Sequence, residues 1–180
     1  KPKISPVNQF MISQAISLSV IDFLEPYSPY FWIKWPNDIY HLDKKIAGIL
    51  IENTLSGNSI KYCIAGVGIN INQRSFPKEL PNPTSLSHIT NQRFQLEELL
   101  KNFIKTADHH ISKLNDSAKP ETEYRYLEKL YRYKKATRYK DRDGEFEGII
   151  TGIDSYGHLT VIDTYTGKQK KYDFKEIVFL

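Results

Sequence analysis

Apolar residues recur at helical spacing early in the chain, at Phe10, Ile12, Ala15, Ile16, Leu18, Val20, Ile21 and Leu24. A period near 3.6 predicts a helix there. After Pro2, the pair Ser5-Pro6 offers an N-cap serine and a proline at the first helical position, and Pro26 and Pro29 end the segment. Tyr30 to Trp35 is an aromatic and β-branched run, read as a strand that enters a turn at Pro36-Asn37-Asp38. Ile39–Leu42, a polar tip Asp43-Lys44-Lys45 and Ile46–Glu52 predict a hairpin. Ser56-Gly57-Asn58 is a turn signal, and Ile60–Asn72 is a further strand. From Gln73 to Asn91 three prolines and weak periodicity predict a long surface loop, and loops of that length are more often functional. Leu96, Leu99, Leu100, Phe103, Ile104, Ala107, Ile111 and Leu114 mark an amphipathic helix, with a second over Glu121–Tyr131.

The pattern changes after Tyr133. Alternating runs at Thr137–Tyr139, Phe146–Ile153, Leu159–Asp163, Lys170–Phe174 and Ile177–Leu180 are separated by Asp143-Gly144, Tyr156-Gly157 and Thr166-Gly167. Such short strands predict a small barrel. The expected organisation is therefore α+β, with one unit over 1–132 and a second over 133–180.

Composition narrows the class. Of 180 residues, 40% are hydrophobic and 26% charged, enough to pack a core and too apolar for disorder. A net charge of +4 is too small to imply nucleic acid. The single Cys63 excludes an internal disulfide and a four-cysteine zinc site, and suits a reducing compartment. The longest apolar run, Ile46–Ile51, is interrupted by Gly48, so no membrane span is expected. The chain opens at Lys1 without a charged-then-apolar leader, and reads as a cytoplasmic protein met partway through its sequence.

Several patches could carry chemistry, each with a plainer reading. Tyr124–Arg142 holds five Tyr and eight Lys or Arg, which could stack and neutralise a nucleic-acid strand. No RNA-binding signature accompanies it, so the favoured reading is a helix end with Tyr124, Leu127 and Tyr131 facing the core and the basic residues solvated. Gly66-Val67-Gly68 before Ile69-Asn70 could bring backbone close to a phosphate. It does not complete the dinucleotide fingerprint, because position 71 is Ile, and paired glycines in a strand equally mark a bulge. Trp35-Pro36-Asn37-Asp38 offers a ring, an amide and a carboxylate at a turn, or simply an Asx-type turn. Lys44-Lys45 before Ile46-Ala47-Gly48-Ile49 is equally ambiguous, and a solvated hairpin tip is the favoured reading for two adjacent lysines. His109-His110 point about 100° apart on a helix and cannot share a metal.

Taken in order these motifs do more. Lys34-Trp35-Pro36-Asn37-Asp38-Ile39, then Lys44-Lys45-Ile46-Ala47-Gly48-Ile49-Leu50-Ile51-Glu52, then Gly66-Val67-Gly68-Ile69-Asn70 closely resemble the biotin–protein ligases, including the biotin–[acetyl-CoA-carboxylase] ligases. The resemblance implies a mixed β sheet flanked by helices, related to lipoate ligases and class II synthetases, with a C-terminal SH3-like β barrel. It implies that biotin is adenylated with ATP and Mg2+ and passed to a lysine of a biotin carboxyl-carrier domain. Lys45 would contact biotin and the reacting phosphate, and Asp38 would orient or deprotonate the acceptor amine. Trp35 would wall the nucleotide side and Asn37 would line the ATP site. Lys34, Gly48, Gly66, Gly68 and Asn70 would complete the substrate and ATP contacts, Asn70 near the metal; no protein metal ligand is expected. The family's Gly-Arg-Gly-type biotin loop, and any DNA-binding domain, would lie upstream of the matched region. A homodimer is a further expected partner; membrane and nucleic acid are not. Two alternatives stand beside this reading: a lipoate-type carboxylate ligase, and a truncated, non-catalytic partner-binding module.

Overall fold

The computed structural model describes residues 4–180, so the expectations resting on Lys1 and Pro2 lie outside it. A 3-10 turn at Pro6–Asn8 leads into helix α1, Phe10–Leu24, in which every residue but Ser13 and Asp22 is buried. Ser5 does not cap α1: its side chain makes no capping bond, and its backbone N–H donates to Asp116. The stretch Pro6–Tyr27 is long and apolar enough to cross a bilayer by length and composition, contrary to the expectation from unbroken apolar runs. Here α1 is the core helix instead. It is apolar on all sides because it lies between a sheet and two other helices, α3 (Leu96–Ser112) and α4 (Lys119–Glu128). Each fully buried aliphatic side chain, such as Leu18, Val20 or Ile21, contributes about 1.5–3 kcal/mol.

The first sheet has the order β1-β2-β3-β4, with β1 Phe31–Lys34, β2 Asp38–His41, β3 Lys44–Ser56 and β4 Ser59–Ile69. All its ladders are antiparallel, which corrects the expected mixed sheet; among the described residues parallel pairing is limited to isolated bridges such as Ile33–Leu130 and Lys45–Pro83. The physical reason is local: each strand follows its neighbour through a short turn, and tight turns join antiparallel strands. The hairpin tip is Leu42-Asp43, with Leu42 at φ 52°, so Lys44 and Lys45 are strand residues rather than tip residues.

Two further expectations change. The segment after Gln73 is not wholly a surface loop: it carries the short helix α2, Leu86–Thr90, and Thr84, Ser85, Leu86 and Ser87 are buried. Ser85 caps α2, accepting a bond from the His88 N–H. On α4 the core residue is Tyr126, fully buried beside Phe10, whereas Tyr124 is 63% exposed. The helix begins earlier than predicted, at Lys119, and ends at Glu128; of the other residues expected to face the core, Leu127 packs against it and Tyr131, just past the helix, is buried. His110 is buried, and together with Arg125 it holds the Asp22 carboxylate, so one side chain ties α1, α3 and α4. Burial alone would raise the Asp22 pKa, but these two partners outweigh it and hold it below the usual carboxylate value.

The second sheet, order β8-β7-β6-β5-β9, is formed by β5 Ala136–Asp141, β6 Gly144–Ile153, β7 Leu159–Asp163, β8 Gln169–Tyr172 and β9 Val178–Phe179. It docks on the first sheet around β1. The Trp35 indole N–H donates to the Gly157 carbonyl at 2.8 Å, and its ring meets Phe174 edge-on at 5.5 Å. Gly157 lies at φ 96°, and a Cβ there would stand 2.6 Å from the Phe10 ring, so only glycine fits this junction.

Candidate active site

Residues directly opposite one another in an antiparallel ladder share a face. Lys34 pairs with Asp38, Asp38 with Gly48, and Gly48 with Gly68. Four of the residues singled out from sequence thus form one row across the whole first sheet. Leu50 and Gly66 form the neighbouring row on the same face.

Lys45 joins this face through a β-bulge. Ile39 pairs with Ala47 but Tyr40 pairs with Lys45, leaving Ile46 as an extra residue in β3. Strict alternation from Gly48 would send Lys44 to this side. The inserted residue reverses the parity, so Lys45 shares the face of Tyr40 and Asp38, and Ile46 turns fully into the core. The Lys45 ammonium then lies 2.6 Å from Asp38 Oδ1. Gly48 sits beneath the pair: a Cβ there would be 3.5 Å from Lys45 Cε and Nζ and 3.6 Å from Asp38 Oδ1.

The backbone of Lys45 is pinned on its outer side as well. Its N–H donates to the Asn82 carbonyl and its carbonyl accepts from Thr84, each at 2.8 Å. Asn70 supports that segment, its amide donating to the Thr84 carbonyl at 3.0 Å. Asn37 performs a similar task at the turn, donating to the Ile49 carbonyl at 2.7 Å. The structure therefore brings together Lys34, Asp38, Lys45, Gly48, Gly66 and Gly68. It gives the side-chain amides of Asn37 and Asn70 internal partners. It sends Trp35, one residue past Lys34, to the opposite side, where it is buried against Gly157 and Phe174. Among the described residues no group of three or more His, Cys, Asp or Glu side chains could hold a metal.

Chemically, the face presents a half-exposed cation in contact with a carboxylate, beside a strip of glycines with open space above it. A Cβ at Gly66 or Gly68 would meet nothing closer than 3.8 Å, so packing within the chain does not demand glycine at either position. An anion could approach the sheet backbone closely there with Lys45 to receive its charge. Reasoning from sequence missed Tyr40 as the partner of Lys45, and missed Asn82 and Thr84. The unusual length of the Gln73–Asn91 segment was the only available signal for the last two.

The first 70 residues, which carry all three motifs, match the biotin/lipoate A/B protein ligase family. The bifunctional ligase/repressor BirA of Bacillus spizizenii is 32% identical over 145 residues, covering 78% of this chain and 44% of that protein. The chain belongs to the biotin–protein ligase family. The human biotin–protein ligase is 29% identical over 161 residues, 87% of this chain and 22% of that protein. Among solved structures, the Aquifex aeolicus biotin protein ligase in complex with biotin and ATP superimposes with a TM-score of 0.74 at 26% identity, over 96% of this chain and 72% of that one. The chain thus spans less than half the length of the Bacillus ligase it matches.

Proposed function

We propose that this protein biotinylates a lysine of a biotin carboxyl-carrier domain, consuming ATP and passing through biotinyl-5′-AMP. The observation that carries the reading is the Lys45–Asp38 pair, 2.6 Å apart on the glycine-lined face of the first sheet. When the biotin carboxylate attacks the α-phosphate of ATP, negative charge builds on the phosphate oxygens, and a fixed ammonium stabilises it. Lys45 is that cation. Gly66 and Gly68 let biotin and nucleotide lie close to the strand backbone, while Asn37 and Asn70 hold the turn and the 82–84 segment that frame the site. In the second step an acceptor lysine attacks the acyl carbon of the mixed anhydride, forming the amide and expelling AMP. Near its ordinary pKa of about 10.4 that amine is mostly protonated at neutral pH, so a carboxylate beside it aids deprotonation. Asp38 takes that role.

The only carboxylate of the row, Asp38, is engaged by Lys45, and no acidic cluster stands nearby among the described residues. These residues do not fit a resident Mg2+ site, and Mg2+ is assigned only as the counter-ion of the ATP substrate. We assign residues 1–132 to the ligase domain and 133–180 to an SH3-like barrel. The five-stranded sheet and its turn glycines support that division. The relatives are biotin rather than lipoate ligases, which disfavours the lipoate reading. Biotin-dependent ATP–pyrophosphate exchange, followed by transfer of labelled biotin to a carrier domain, tests the proposal. Exchange driven by lipoate but not biotin, or by neither, would overturn it.

A further inference from the structure

Asp38 has two lysines within reach of its face, and only one of them pairs with it. Lys34 is its direct register partner on β1, the position from which opposite charges ordinarily join across an antiparallel ladder. The ion pair Asp38 makes is nevertheless with Lys45. The Lys34 ammonium lies instead over two rings, 5.1 Å from the centroid of Tyr40 and 5.0 Å from that of Phe179. Both distances are within cation–π range. Tyr40 is the register partner of Lys45, so the two residues opposite the proposed catalytic pair are themselves in contact. Phe179 comes from β9, at the far end of the chain. It is fixed there by Tyr139, whose ring meets it at 5.2 Å, and by Tyr131, which stacks on it at 6.4 Å and donates its hydroxyl proton to Asp43 at the hairpin tip.

We propose that Lys34 is a positioning residue whose ammonium the rings of Tyr40 and Phe179 hold away from Asp38, leaving that carboxylate to Lys45. The inference rests on the ligase reading for its kinetic consequence, but not for the geometry it describes. A ring from the last strand of the second sheet thereby decides which lysine pairs at the reactive face of the first. Without Phe179, Lys34 competes for Asp38, and Lys45 is released from the pair.

The test uses the full-length protein and the variants F179L, K34M and F179L/K34M. The first readout needs no activity: acetylation by an N-hydroxysuccinimide ester, resolved by mass spectrometry, with Lys44 as the internal reference. F179L is expected to raise the labelling of Lys45 relative to Lys44 by about threefold, the scale of an exposed cation–π contact. K34M in the F179L background is expected to reverse that rise, because the competing cation is gone. The second readout is biotin-dependent pyrophosphate exchange, where F179L lowers kcat and the double variant recovers part of the loss, with the KM for ATP little changed. A purely structural role for Phe179 predicts no recovery on removing Lys34, and that result would overturn the proposal. So would a roughly tenfold rise in the ATP KM of K34M alone, which would make Lys34 a nucleotide contact. Unchanged Lys45 labelling in F179L would refute it whether or not the protein proves to be a ligase. Absent exchange in the wild type, with the labelling pattern as expected, would sink the ligase reading alone.

Discussion

Replacing Lys45 by Ala separates a catalytic lysine from a structural one, because the structure makes its two costs differ greatly. The side chain of Lys45 is 44% exposed and that of Asp38 21%, so their ion pair is partly exposed and water still screens it. Such pairs contribute about 0–1 kcal/mol to stability. The backbone bonds from Lys45 to Asn82 and Thr84 survive the change, since they involve no side-chain atom of position 45. The melting temperature should therefore move little. The loss of a preorganised charge-stabilising donor, by contrast, costs about 3–4 kcal/mol of transition-state stabilisation, or about 10²–10³ in rate. Lys44→Ala is the matched control. Lys44 is exposed and pairs with His41, which puts it on the opposite side of the sheet, and its removal should cost less than about 0.5 kcal/mol in either measure. Pyrophosphate exchange at saturating biotin and ATP, with thermal unfolding of the same preparations, gives both numbers. Equal rate losses for Lys44→Ala and Lys45→Ala would refute the assignment, as would a large fall in stability accompanying the rate loss at Lys45.

Three other outcomes follow from the same geometry. Asp38→Asn should slow transfer of biotin to the carrier more than it slows adenylate formation, which single-turnover assays of the two half-reactions separate; the reverse order would remove the base from Asp38. Gly68→Ala introduces a Cβ whose nearest neighbour is the Gly48 carbonyl at 4.0 Å, so stability should stay within about 1 kcal/mol while ligand affinity, read by calorimetry with biotin and ATP, falls about tenfold or more. Asp22 is held below the usual carboxylate pKa, so its contribution to stability is complete above its unfolded value near 3.8 and is lost as pH falls through the lower, folded value. Denaturant unfolding between pH 6 and pH 2 should show Asp22→Asn losing less stability on acidification than the wild type; parallel curves would exclude that linkage.

Much of this molecule was legible in its sequence. The 3.6-residue spacing in α1 and α3, the turn pairs flanking β5 to β8, and the alternation within those strands are local patterns that backbone geometry reads directly. The three motifs marked residues that meet for a related reason, since Lys34, Asp38, Gly48 and Gly68 fall into one row once their strands pair in register. Other outcomes depended on the folded chain. Regular alternation would have placed Lys44 beside Asp38; the bulge at Ile46 gives that place to Lys45, because the core takes the isoleucine and the extra residue reverses the parity of everything before it. Trp35 looked equally fit to wall a ligand, but it is buried because the second sheet supplies Gly157 and Phe174, more than a hundred residues away, to receive it. Tyr126 rather than Tyr124 entered the core once α4 had settled on α1. Local sequence sets which face a regular strand or helix offers, while bulges and long-range docking decide which side chain of that face meets a partner.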